Sequence, residues 1–159
     1  MDPDTASRRR PGRPPKLAAA RLETREALLR CGLELLTEKG FNSLGLEELL
    51  SRAGVPKGSF YHYFTSKDDY GLRVLEAYAG YFARKLDRSL LDDSRPPLAR
   101  IAAFVADARG GMARHEFRRG CLVGNLGQEM GALDESFRGR IEAVFQDWQA
   151  RLAACLEAA

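Results

Sequence analysis

The apolar positions of this chain recur at helical spacing along most of its length. Over residues 17–39, Leu22, Leu28, Leu29, Leu35 and Leu36 form much of one stripe. That predicts a helix, with Gly40 as its left-handed stop. Cys31 falls within the pattern and reads as a small core residue. Ser43 is placed to cap a second helix over 44–53, with Leu46, Leu49 and Leu50 facing inward. Ser66 is placed to cap a long helix over 67–92, with Asp69 three residues on as a variant capping box. Leu72, Leu75, Ala79, Phe82, Leu86 and Leu90 are its stripe. A Pro-containing break at 92–97 follows. Leu98, Ile101, Val105, Ala108 and Met112 then mark another helix, and 121–130 a weaker one, interrupted by Gly124 and Gly127. Two glycines three apart imply a close approach to the backbone there. A last helix starts after Asp134, with Phe137, Ile141, Val144, Phe145, Trp148, Leu152 and Cys155 on one face. No strand alternation and no repeat is present. The fold expected is all-α.

One stretch does not fit a plain core pattern. Residues 54–67 read Gly-Val-Pro-Lys-Gly-Ser-Phe-Tyr-His-Tyr-Phe-Thr-Ser-Lys. Gly54 suits a turn with φ > 0. Pro56 suits a helix start. The helix must be short, because Thr65-Ser66 reopens a cap. Phe60 and Phe64 share one face. Lys57, Ser59, Tyr61, His62 and Tyr63 are left to point elsewhere, and a helix cannot bury 61, 62 and 63 on one side. Donors, cations and flat rings with no acid from Leu49 to Lys67 suit a phosphate-lined groove.

Together with Gly40-Phe41, this stretch resembles the helix-turn-helix of the tetracycline-repressor (TetR) family of bacterial regulators, over roughly Leu28 to Leu75. The Val-Pro-Lys-Gly-Ser-Phe-Tyr-His-Tyr-Phe run and Gly120-Cys121-Leu122 are most similar to the acrylate-responsive and electrophile-sensing (N-ethylmaleimide-reductase) repressors within it. The resemblance implies a three-helix DNA-reading head at 17–66. A helical effector and dimerisation bundle would occupy 67–159, C-terminally short against the family. It implies phosphate contacts from Lys57, Ser59, Tyr61, Tyr63 and Lys67, with Gly58 in the same surface, and base-edge approach by His62 or Lys57. Leu44 and Gly45 stand where the family usually has hydroxyl residues, which removes an expected phosphate contact.

Charge sharpens the DNA reading. The 159 residues carry a formal net charge of +3. Residues 1–16 hold five cations and two acids, so the remainder balances at 20 of each. Four prolines and almost no apolar residue make 1–16 a disordered basic arm. Its Arg9, Arg10 and Arg13 lie in a run resembling AT-hook arms, suited to a minor groove. The other reading is a solvated basic tail. With 45% hydrophobic and 30% charged residues, no apolar run near the ~20 residues of a membrane span and no signal-peptide pattern, a cytoplasmic, nucleoid-associated protein is expected. Three scattered cysteines and two distant histidines offer no disulfide framework and no metal site. No cofactor is expected.

Cys121 follows Arg118-Arg119 near a helix start, a setting that favours the nucleophilic thiolate. It also matches the electrophile-sensing cysteine of the repressors this chain resembles. The plainer reading is a buried small residue. Tyr78, Asn125, Gln128 and Trp148 are candidate pocket groups for a small inducer, Asn125 and Gln128 sharing a face. A thiol enzyme is the rival class, with His115 as its one remote base and no acid to orient it. The function expected is a non-enzymatic repressor, binding a palindromic double-stranded operator as a homodimer and released by a small electrophile or unsaturated acid. The alternative is a truncated DNA-binding fragment without inducer response, its dimer weakened.

Overall fold

The computed structural model describes residues 16–129 and 134–159. They form α1 (Lys16–Lys39), α2 (Leu46–Ala53), a 3₁₀ helix (Lys57–His62), α3 (Lys67–Leu90), α4 (Pro97–Ala113), α5 (Leu122–Gln128) and α6 (Glu135–Glu157). The described chain is all-α. Its helix stops follow the local chemistry. Gly40 and Gly54 adopt φ 80° and 67°, the left-handed region that glycine enters without a Cβ clash. At the start of α3 the Ser66 hydroxyl accepts the Asp69 N–H, and the Asp69 carboxylate accepts the Thr65 N–H, each at 3.0 Å. This reciprocal box satisfies two donors the helix would otherwise leave bare.

Leu28, Leu35, Leu36, Leu49, Leu50, Phe60 and Phe64 form the core of the head, with Tyr70 of α3 at its centre. The Tyr70 ring meets Phe60 and Phe64 edge-on, with centroids 5.5 and 4.8 Å away. Its hydroxyl donates to the Leu28 carbonyl at 2.7 Å, so the polar tip is satisfied. The same core continues past the head without a gap, through Val74, Leu75 and Tyr78 to Leu122, Leu126, Phe137 and Ile141. A second, smaller cluster joins Leu86, Leu90 and Cys155 to Ile101, Phe104 and Leu152.

Four sequence expectations are corrected. Ser43 does not cap α2. The helix begins at Leu46 after Gly45, with no side-chain cap, because Leu44 is buried in the turn and its N–H donates to the Phe41 carbonyl. On α4 the predicted stripe holds only in part: Ile101 and Ala108 are half-buried, but Leu98, Val105 and Met112 are exposed, the first two at 65% and 58%. Phe104 joins Ile101 and Ala108 on the half-buried face, which is rotated from the predicted one. Phe145 of α6 is also exposed. Finally, Gly127 has nothing near its missing Cβ, and at Gly124 a Cβ would meet Cys121 only at ordinary contact distance. Tight approaches occur elsewhere, at Gly32, where a Cβ would overlap the Tyr70 hydroxyl, and at Gly71, where it would overlap the Phe41 ring and stand 2.8 Å from Phe137.

Candidate nucleic-acid interface and effector cleft

The 3₁₀ helix is set by its ends. The turn at Gly54 is closed by N–H bonds from Gly54 to the Ser51 carbonyl and from Val55 to the Leu50 carbonyl. At the other end the Tyr63 N–H returns to the Phe60 carbonyl and ends the helix. Phe60 and Phe64 sink into the core at 1% and 2% exposure. That fixes the rotation and turns the rest outward. Lys57, Gly58, Tyr61 and His62 are exposed, while Ser59, Tyr63 and Lys67 are half-buried at the flank. Tyr61 is 68% exposed, far more than packing alone would leave for a tyrosine. Lys57 pairs with Glu47 of α2, both well exposed, a contact weak enough to yield to a phosphate. Lys67 stands at the N-terminus of α3 with Nζ 4.8 Å over the Phe41 ring. Arg9, Arg10 and Arg13 of the arm lie outside the described residues.

A cleft of about 340 Å³ opens between α1, α3, α4 and the 114–120 segment, with Leu33, Tyr78, Phe82, Met112 and Cys121 in its wall. Cys121 is the exposed thiol of the three; Cys31 is half-buried and Cys155 buried. Burial pushes Cys31 up from the usual thiol range, with Glu34 adding to it. Burial, with the neighbouring Cys121 sulfur adding to it, also pushes the Tyr78 hydroxyl well above the usual phenol range. It therefore stays protonated and donates to Cys121 Sγ at 3.6 Å. Both arginines expected to serve the thiol pair with carboxylates, Arg118 only weakly because both partners are exposed. Arg118 pairs with Glu116, and Arg119 reaches Glu38 and Glu34 of α1. Glu116 and Phe117 both hold φ near +55°, a left-handed backbone costing non-glycine residues about 1–2 kcal/mol each. His115 lines the same cleft as Cys121.

The segment around Cys121 is tied to the end of α1 as well. The Gly120 N–H donates to the Thr37 carbonyl at 2.9 Å. Asn125 Nδ2 donates to the Leu36 and Thr37 carbonyls at 3.0 and 3.2 Å. Glu129 accepts the Phe41 N–H at 2.8 Å. These bonds satisfy the bare carbonyls and N–H groups of the α1–α2 junction.

Asn125 is thus spent on α1 and does not line the cleft. Gln128 is exposed and lies outside the cleft too. Trp148 packs on Phe82 with centroids 4.4 Å apart, and its wetter edge borders a separate apolar groove with Phe145, Leu152 and Leu156. Of the expected pocket set, the structure brings together Tyr78 and Cys121 only. Sequence reasoning missed Lys85, which is 8% exposed in the cleft wall. Its signal was its spacing, seven residues after Tyr78 and three after Phe82 on an apolar face. Among the described residues no helix is long and apolar enough to cross a membrane.

Residues 28–69 match the family of bacterial regulatory proteins described as the tetR family. Residues 97–159 match the tetracyclin repressor-like C-terminal domain. The transcriptional regulator AcuR of Cereibacter sphaeroides is 55% identical over 151 residues, which is 95% of this chain and 68% of AcuR. The HTH-type transcriptional repressor NemR of Escherichia coli K12 is 36% identical over 135 residues, 85% of this chain and 68% of NemR. Among solved structures, the regulatory protein TetR from Rhodobacter sphaeroides superposes with a TM-score of 0.84 at 57% identity, covering 86% of this chain and 72% of that one. E. coli NemR in its reduced form superposes with a TM-score of 0.76 at 36% identity, covering 85% and 70%. These relatives are regulators and not enzymes, which sets the thiol-enzyme reading aside. An aromatic and cationic face held outward by two buried phenylalanines, followed by a capped α3, is the geometry of a DNA-reading head, and the chain belongs to the TetR family of DNA-binding transcriptional regulators.

Proposed function

We propose that the chain is a repressor that leaves its operator when a small electrophile or unsaturated acid adds to Cys121. It binds a palindromic operator as a homodimer, in the bacterial cytoplasm, through Lys57, Gly58, Ser59, Tyr61, His62, Tyr63 and Lys67. Arg9, Arg10 and Arg13 of the arm follow the adjacent minor groove. The observation that carries this reading is the exposed thiol opening on an apolar cleft, in a segment hydrogen-bonded to the end of α1.

The chemistry needs no further reagent. Cys121 Sγ forms a bond to the β-carbon of an activated alkene, the π pair moves to the α-carbon, and that carbon takes up a proton in place of the thiol's. The added group enters the cleft at Cys121 and displaces the Tyr78 hydroxyl from its sulfur. The 120–125 bonds to α1 are the nearest thing to give way, and they hold the first helix of the reading head.

The test is a gel shift on the DNA upstream of the chain's own gene, with N-ethylmaleimide or acrylate, and mass spectrometry to locate adducts. Wild type should be released and carry its adduct on Cys121, while Cys121→Ser stays bound. Equal release of Cys121→Ser would place the switch elsewhere.

A further inference from the structure

The cleft beside Cys121 has a charge bias that a sensing thiol does not require. Lys85, Arg114, His115 and Arg119 line it, and no Asp or Glu does. Arg119 is neutralised by Glu34 and Glu38. Lys85 is not matched so fully. Its side chain is only 10% exposed, and burying an ammonium is costly unless it is well paired. Its ion-pair partner is Asp107 of α4, at 3.0 Å, and that carboxylate is 52% exposed. An ammonium has three donors, and one water-facing carboxylate does not use them all.

The free donors have somewhere to point. Gly111 of α4 lines the cleft beside them, and the point where a Cβ would sit lies within contact of both cationic side chains. Lys85 Nζ and Arg114 Nη2 each stand 3.6 Å from that point. The two cationic nitrogens are thus neighbours on one patch of the cleft wall, a niche in a lining that also includes Leu33, Tyr78, Phe82, Met112 and Cys121. Charge-assisted bonds from such a pair are about twice as strong as neutral ones. A neutral amide of the same shape would gain little from them.

We propose that this niche binds the carboxylate of a small unsaturated acid, with Lys85 and Arg114 as its cations, and makes the cleft prefer acids to neutral electrophiles of equal size. The inference rests on the reading of Cys121 as the inducer switch, and it assigns that site a specificity determinant. Asp107 competes with the ligand for Lys85, so it sets how weakly or tightly the acid is held.

The experiment uses the full chain and propionate, a saturated acid that cannot react, with propionamide as its neutral counterpart. Each is tested for protection of Cys121 against N-ethylmaleimide, read as the rate of adduct formation by mass spectrometry. Propionate should protect wild type and propionamide should not. Lys85→Gln or Arg114→Gln should raise the propionate concentration for half-protection by about tenfold. Asp107→Asn, at an exposed position, should lower it. Without acid, the N-ethylmaleimide rate should stay within about twofold in all variants. Equal protection by propionate and propionamide would overturn the proposal, and so would unchanged protection in Arg114→Gln or weaker protection in Asp107→Asn. The arginine and aspartate variants keep the test alive should Lys85→Gln not fold. If N-ethylmaleimide never modifies Cys121, the switch reading fails. The niche is then judged separately, by whether propionate but not propionamide raises the melting temperature of wild type and not of Arg114→Gln.

Discussion

At the scale of single residues, the chain depends on a few side chains and one missing one. Gly71 lets Phe41 and Phe137 close over α3, their rings 5.1 Å apart. Gly71→Ala should destabilise by about 1–3 kcal/mol, the usual cost of overpacking a core, measured by denaturant unfolding. An unchanged midpoint would mean the rings move freely. Tyr61 and Lys67 separate two roles. Tyr61→Ala should weaken DNA binding without altering stability, because the side chain is mostly in water. Lys67→Ala should shallow the log–log salt dependence by about 1 if it holds a phosphate. It should also cost some stability, through the lost contact with Phe41. An unchanged salt slope for Lys67→Ala would remove it from the interface. The outward face of the 3₁₀ helix was legible in sequence, because Phe60 and Phe64 fix the rotation and 61–63 cannot all be buried. Gly71 was not legible. What crowds it comes from Phe41 and Phe137, far away in the chain, and spacing carries no record of tertiary approach.

Among the elements, the reading succeeded where a local rule decided and failed where a neighbour did. Gly40, Gly54 and Ser66 stop and start helices by their own chemistry, and the structure agrees. The face of α4 is chosen by α3 and α6, so its apolar stripe misled at Leu98, Val105 and Met112. The 121–130 segment misled differently: its glycines suggested a close approach to the backbone, and Asn125 a ligand group. Asn125 instead bonds the last carbonyls of α1. Asn125→Ala should therefore lower stability by about 1–2 kcal/mol with no inducer present. A purely ligand-binding Asn125 would leave the melting curve where it was. Acid provides another check on these junctions. The Thr65 N–H holds the Asp69 carboxyl below the usual carboxylate range, against the opposing effect of burial. For Glu38 burial acts upward, and the bonds from Arg119 and Arg52 outweigh it, leaving that carboxyl low as well. Groups lowered in the folded state stabilise it above their unfolded pKa of about 4, and that stability is lost as pH falls through the folded values. The melting temperature should drop steeply below pH 4, and less so in Asp69→Asn. Equal slopes would discount the cap.

Over the whole molecule, the head and the cleft are one packed body, with Tyr78 in both the continuous core and the cleft wall. Two routes lead from Cys121 to the DNA face. One runs along α3, which begins at Lys67. The other is the polar bridge through Gly120, Asn125 and Glu129 to α1 and its turn. If ligand in the cleft and operator on the head bias the same two states, each must weaken the other by one common factor, because linkage between binding free energies is reciprocal. Reversible propionate is the ligand for this comparison, since covalent addition is not an equilibrium measure. Operator affinity is measured by anisotropy with and without saturating propionate. Propionate affinity is measured by calorimetry with and without saturating operator. The two factors should agree within error and lie between about 5-fold and 150-fold. Asn125→Ala, which removes part of the polar bridge, should shrink both together, whereas coupling along α3 alone would leave them intact. Two unchanged factors in that variant would assign the signal to α3. A propionate that binds the cleft yet leaves operator affinity untouched would sever the cleft from the reading head altogether.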